Sequence, residues 1–170
     1  MNHLSRRKTI IKIILHLLTI LCMIVIFYFS AQNADYSSET SGEFIYSVGK
    51  IFFKDFRVMS ERQQASLIES YQYLVRKFAH IVIYAFLGML TAATMLTYPM
   101  KTKNRIVCAF VISFLYAVSD ELHQMFVPGR GPMFSDVLID TVSASAGIAI
   151  IIGGGILIMR FSRRKRQGVK

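Results

Sequence analysis

"IVCAFVISFLYAVSDELHQMF", residues 106–126, decides how this chain is folded. It opens with thirteen uncharged residues, Ile106 to Val118, and then turns abruptly polar at Ser119 and Asp120. Thirteen helical residues reach only about 20 Å, whereas the hydrocarbon core of a bilayer is about 30 Å thick. Either the segment is no span, or its helix continues to Phe126 and carries Asp120, Glu121, His123 and Gln124 in its last turns. The charges elsewhere in the chain favour the second reading. Arg6, Arg7, Lys8 and Lys12 precede the first apolar run, which covers residues 10–30. Lys101, Lys103 and Arg105 separate the second run (78–98) from the third. Arg160, Arg163, Arg164, Lys165, Arg166 and Lys170 follow the fourth (137–159). A basic cluster at every second boundary is the positive-inside pattern, and it requires an even number of crossings.

The expected fold is therefore all-α: a single domain, residues 1–170, forming an integral membrane bundle of four transmembrane helices. Both termini are expected in the cytoplasm, in a multi-pass protein of the cell membrane. All ten acidic residues lie between Asp35 and Asp140, and the flanks assigned to the cytoplasm hold thirteen of the twenty Lys and Arg. The net charge of +10 is thus accounted for by topology and by attraction to anionic lipid, and no nucleic-acid partner is expected. With 54% hydrophobic residues, the chain departs from soluble composition. The first run has a basic start and a small-residue end that imitate a signal peptide, but its apolar part exceeds the ~7–15 residues of such a segment. Cys22 and Cys108 both lie in apolar runs, make no metal spacing and read as small hydrophobes.

The outer segment, residues 31–77, is too long for a simple connection and is expected to be helical. Phe44, Val48, Ile51 and Phe52 share one helical face, suited to lying on the membrane or capping the bundle. "SERQ" (60–63) is a capping box, and its helix is expected to run unbroken past Tyr71, Leu74 and Lys77 into the second span. Gly147, Gly153, Gly154 and Gly155 offer close helix contacts in the fourth.

Helical spacing places the polar residues in stripes. Lys77, His80 and Tyr84 lie at i, i+3 and i+7; Ser113, Tyr116, Asp120 and His123 follow one seam, with Glu121 and Gln124 beside it; Asp136, Asp140, Ser143 and Gly147 follow another. A charged group at mid-span costs roughly 2.5–3.5 kcal/mol on a translocon scale, less near the interface. Inward convergence relieves that cost. Lys77, His80, Asp120, His123, Arg130, Asp136 and Asp140 are therefore expected to meet in one outward-opening pocket, with the turn "VPGRGP" (127–132) swinging Arg130 back toward the acids. Three readings of the pocket stay open. It is a network that locks helices, a recognition site in which Arg130 and Lys77 contact phosphate or carboxylate, or a catalytic site whose candidates are Asp120, His123 and Asp140. Ser135 beside Asp136 is a weak nucleophile candidate. The spacing makes no metal motif, so no metal and no cofactor are expected. His16 reads as a helix-packing histidine.

"RKFAHIVIYAFLG" (76–88), "SDELHQMFVPGRGPMFSDVLIDTVSASAG" (119–147) and "FSAQNADYSSETS" (29–41) together resemble the VanZ-like proteins. These are small bacterial multi-pass membrane proteins named for a teicoplanin-resistance accessory protein. Lys77, His80, Tyr84, Asp120, Glu121, His123, Gln124, Pro128, Gly129, Arg130, Asp136 and Asp140 match the family pattern; "TVSASAG" departs from it where members often carry Gly or Ala-Gly pairs. The resemblance implies a role at the outer face of the membrane in lowering susceptibility to teicoplanin-type glycopeptides. An envelope lipid or glycopeptide-related ligand is the expected partner besides membrane lipids, with Lys77, His80, Tyr84, Asp120, Glu121, His123, Gln124, Arg130, Asp136 and Asp140 as the ligand-binding set. The alternatives are an enzyme acting on a lipid-linked envelope substrate by Asp/His acid–base or metal chemistry, and a purely structural scaffold. The resemblance carries no established reaction, so the chain is assigned none. Cysteine labelling of intact cells tests the orientation: Glu39→Cys is expected to react with an impermeant maleimide and Lys103→Cys only after permeabilisation, and the reverse pattern would invert the topology.

Overall fold

A computed structural model describes residues 3–167, with side chains described over residues 5–158. It is all-helical: α1 (His3–Ser30), α2 (Ala34–Phe52), α3 (Lys54–Val58), α4 (Glu61–Leu96), α5 (Thr102–Gln124) and α6 (Phe134–Gln167). Four of these contain segments long and apolar enough to cross a membrane: Ser5–Ser30, Glu61–Leu96, Thr102–Gln124 and Phe134–Ile158. The third span takes in Asp120 to Gln124, so the short apolar stretch is lengthened by its polar end. Large apolar side chains such as Leu17, Ile24, Leu115, Val142 and Ile150 are exposed around the bundle, where lipid rather than water is the solvent that suits them. The basic residues from Arg160 to Arg166 have side chains outside the described set, and Lys170 lies outside it altogether.

The hub is α4, which packs against α1, α2, α5 and α6 and makes its most extensive contact with α6. The capping box forms as expected: Ser60 accepts from the Gln63 amide, and the Gln63 side chain accepts from the Ser60 amide. From there α4 runs 36 residues without interruption, about 54 Å at helical rise, so its first turns project well beyond a ~30 Å hydrocarbon layer. That projection is what α2 packs against.

Two glycines set the distance between α4 and α6. A Cβ on Gly88 would sit 2.0 Å from the Ala144 carbonyl oxygen, and one on Gly147 would sit 2.0 Å from that of Ala85. The helices cross with backbone against backbone, the arrangement that small residues permit in membranes, where packing rather than hydrophobicity drives association. Gly153, Gly154 and Gly155 behave otherwise: a Cβ on any of them meets nothing within 4 Å among the described residues. Of the four glycines expected at helix contacts in α6, only Gly147 makes one.

Side-chain bonds fix the remaining helices. Thr91 and Ser113 hydroxyls lie 3.2 Å apart between α4 and α5, and Thr19 and Thr94 lie 3.2 Å apart between α1 and α4. Tyr116 donates to the Met23 carbonyl at 2.5 Å, tying α5 to α1. At one end of the bundle His16 Nε2 meets the Tyr98 hydroxyl at 3.0 Å, and Lys12 lies over the Tyr98 ring. At the other end Gln124 donates to Ser30 Oγ at 2.8 Å, and Lys77 pairs with Asp136. The second end holds the functional candidates.

The expected apolar face of α2 is not the face that packs. Ser37, Ser41, Gly42 and Gly49 are buried, with Gly42 against Ile68 and Gln72 of α4 and Gly49 against Phe56 of α3. Small residues allow the close approach, while Ile51 and Phe52 are left exposed, free to meet lipid, and Phe44 borders a cavity beside α4. The close α4–α6 crossing predicts that Gly147→Ala lowers the stability of the detergent-solubilised protein by about 1–3 kcal/mol through overpacking. Gly154→Ala should stay within about 0.5 kcal/mol. Thermal melting of both variants checks this, and equal melting points would contradict the crossing.

Candidate functional site

The site forms where the paired ends of α4 and α6 meet the end of α5. On α4, successive turns present Lys77, His80 and Tyr84; on α5, Asp120, Glu121 and Gln124; on α6, Asp136 and Asp140. The turn between α5 and α6 closes that end. Gly129 takes φ 74°, the left-handed region that glycine enters without penalty, and a Cβ there would come 3.0 Å from Ala34 Cβ. The Pro128 carbonyl accepts from the Ala34 amide at 3.4 Å, so the turn is joined to the start of α2.

The polar groups divide into two layers. The inner layer is buried. Tyr84, Asp140, Asp120, Glu121 and Gln124 are all buried, Tyr84 and Asp140 to within 1% of full burial. Tyr84 donates its hydroxyl hydrogen to Asp120 Oδ2 at 3.0 Å. His80 Nδ1 lies 3.6 Å from Asp140 Oδ2. Glu121 Oε2 accepts from the Met133 amide at 2.9 Å, holding the incoming strand of the turn. Among the described residues Asp120 Oδ1, Glu121 Oε1 and both Asp140 oxygens have no hydrogen-bond partner. Unpartnered buried carboxylate oxygens are costly, and in a native fold they call for an explanation.

The outer layer borders a cavity of about 640 Å³, within the size range of small-molecule sites. Lys77, His80, Gln124, Arg130 and Asp136 line it, together with Arg76. The facing walls are apolar, with Ile26, Phe29, Phe44, Phe78, Ile83 and Met133, and α2 supplies Ser37, Ser38 and Ser41. Lys77 is paired with Asp136, both side chains mostly buried, and Ser135 Oγ also donates to Asp136. Ser135 is exposed and has no base beside it other than that carboxylate.

Arg130 does not swing back onto the acids. Its guanidinium donates to the Phe29 carbonyl at 3.4 Å, and Arg76 donates to Ser38 Oγ at 3.3 Å. Among the described residues neither arginine pairs with a carboxylate. Burial, and next the charge of Arg76, pull the Arg130 guanidinium below its ordinary value. Two cations therefore share the cavity lining, neither within ion-pair distance of a carboxylate among the described residues, although the charges of Asp120 and Glu121 act on Arg130 from further off.

His123 is not at the site. Its ring packs on Phe27 of α1, with centroids 4.5 Å apart, and its position on α5 turns it toward α1 rather than toward α4 and α6. The seam drawn through Ser113, Tyr116, Asp120 and His123 is too wide to face one neighbour: Ser113 and Asp120 meet α4, while Tyr116 and His123 meet α1. Arg76 and the serines of α2 are the residues that the sequence reading missed. The one signal for Arg76 is its place beside Lys77, which becomes informative only once α2 is known to cover that part of α4.

Fold and site together define a polytopic helical membrane protein with a buried ionisable cluster at one end of its bundle. The sequence profile described as VanZ/LLP1 matches residues 15–160, and the chain belongs to that family. No curated protein and no solved structure gives a significant match to it.

The Lys77–Asp136 pair yields a stability test. Lys77→Met or Asp136→Asn leaves a mostly buried partner uncompensated and should cost about 1–3 kcal/mol. The double variant Lys77→Met/Asp136→Leu should recover part of that loss. Melting temperatures that fall additively across the cycle would show the two groups to be uncoupled.

Proposed function

We propose that the protein recognises an anionic envelope lipid or cell-wall-related ligand at the outer face of the membrane, and through it lowers susceptibility to teicoplanin-type glycopeptides. The observation that carries this reading is the Arg76–Arg130 pair, two guanidinium groups lining an amphipathic cavity, neither of them ion-paired with a carboxylate among the described residues. Guanidinium groups bind phosphate and carboxylate in forked, charge-assisted hydrogen bonds. An anion placed there also offsets the mutual repulsion and the burial that act on Arg130. The aromatic and aliphatic wall formed by Phe29, Phe44, Phe78 and Ile83 suits an acyl or polyprenyl chain attached to such a headgroup. Lys77 contributes less than the sequence reading gives it, because Asp136 already neutralises it.

Family membership and this ligand chemistry support the glycopeptide role: a protein that held cell-wall lipid intermediates or their neighbours would act where such antibiotics act. Bacteria that express the wild-type chain are expected to show a higher inhibitory concentration of teicoplanin than cells with an empty vector. Arg76→Ala/Arg130→Ala should abolish that difference while the protein still accumulates and melts near the wild-type temperature. A double variant that is folded and fully protective would refute the role given to the arginines.

A further inference from the structure

We propose that His80, Asp120 and Asp140 form a binding site for one divalent transition-metal cation, in the inner layer behind the cavity. Three helices supply one ligand each: α4 brings the imidazole, α5 and α6 the carboxylates. One ligand atom from each lies within 4.8 Å of the other two. Ligands of a bound divalent ion with bonds near 2.1 Å stand about 3–4 Å apart, so small side-chain rotations close the site. His80 Nδ1 and Asp140 Oδ2, at 3.6 Å, already stand at that spacing.

The second observation is the set of oxygens left over. Asp140 is 1% exposed and Asp120 3%, yet Asp140 Oδ1, Asp140 Oδ2 and Asp120 Oδ1 accept no hydrogen bond among the described residues. The atoms that are satisfied are those that a metal site uses for support: Asp120 Oδ2 accepts from Tyr84 at 3.0 Å, which fixes that carboxylate and leaves Oδ1 free to ligate.

Charge points the same way. Lys77 is taken up by Asp136, so it does not compensate the two inner aspartates. With a neutral imidazole as the third ligand, a divalent ion balances Asp120 and Asp140. One nitrogen and two oxygen ligands suit Zn²⁺ or Mn²⁺ better than a thiolate-seeking ion. His80 also lines the cavity, which gives the ion a way in. The absence of a metal spacing in the sequence is no obstacle, because the ligands come from separate helices that only the close α4–α6 crossing brings together.

Chelator-treated wild-type protein in detergent is titrated with Mn²⁺, followed by the loss of the free-ion electron paramagnetic resonance signal, and with Zn²⁺, followed by thermal melting. The expected result is one saturable ion per chain and a rise in melting temperature. Asp140→Asn and Asp120→Asn should lose the site, and Tyr84→Phe should weaken it about 10–100-fold. His80→Gln replaces the carboxylate variants wherever they fail to fold. The site does not depend on the anionic ligand: Arg76→Ala/Arg130→Ala should bind the ion at least as tightly as the wild type, since it removes positive charge nearby. Wild-type protein with no saturable site for either ion, as expected if the two aspartates merely share a proton, overturns the proposal. So does binding that persists unchanged without the three ligands.

Discussion

The contact of Gly88 and Gly147 with the opposing backbones of α6 and α4 is the constraint on which the rest of the structure depends. Backbone contact at that crossing brings the faces of the two helices close enough for short side chains to meet. One to three turns beyond it, Asp140 stands beside His80 and Asp136 beside Lys77. A wider crossing with larger residues would leave those groups apart, each facing lipid. The same closeness lets α5 fit against both helices through Ala109, Ser113 and Ala117, which brings Asp120 to Tyr84.

What the crossing produces is a concentration of ionisable groups in an apolar bundle. Even the lenient insertion scale charges roughly 2.5–3.5 kcal/mol for each such residue at mid-span, so a cluster of this kind is expensive to retain unless its members relieve one another. Some do. Lys77 and Asp136 form a pair, and Gln124 and Glu121 tie the end of α5 to α1 and to the turn. These contacts lock helices together and would suffice for a structural network. Among the described residues Asp120 has no cationic partner and Asp140 meets only the His80 imidazole, at 3.6 Å, while Arg76 and Arg130 have no carboxylate at bonding distance. A scaffold gains nothing from either set. Spatially separate deficits of opposite sign, a cation lacking within and an anion lacking at the rim, fit two different ligands better than one.

Much of this was legible in the sequence. The thirteen-residue shortfall of the third apolar run placed Asp120 to Gln124 inside a helix, and α5 ends at Gln124. The capping box at Ser60 located the start of a helix that runs on into the second span, because its signal is local and needs no tertiary context. The stripes on α4 and α6 are legible as well, since both lie on the faces where these two helices make their most extensive contact. Periodicity fails where one stripe is shared between two neighbours. Along α5, residues at i, i+3 and i+7 fan between α1 and α4, and His123 is lost to Phe27. On α2, hydrophobicity pointed to the phenylalanines, whereas close packing selected the serines and glycines. In a membrane protein an apolar face is as readily turned to lipid as to the core. Arg76, Ser38 and the cavity they border depend on how α2 lies along α4, which no local pattern records.

The central claim is that this end of the bundle holds a ligand and is more than a fastening of helices. Native mass spectrometry of the protein extracted from bacterial membranes tests it most directly. An anionic lipid should be retained on the wild-type chain, stripped from Arg76→Ala/Arg130→Ala, and absent when only zwitterionic lipid is supplied. A wild-type chain that emerges bare, or that holds anionic and zwitterionic lipid alike and with the same strength as the double variant, would contradict it.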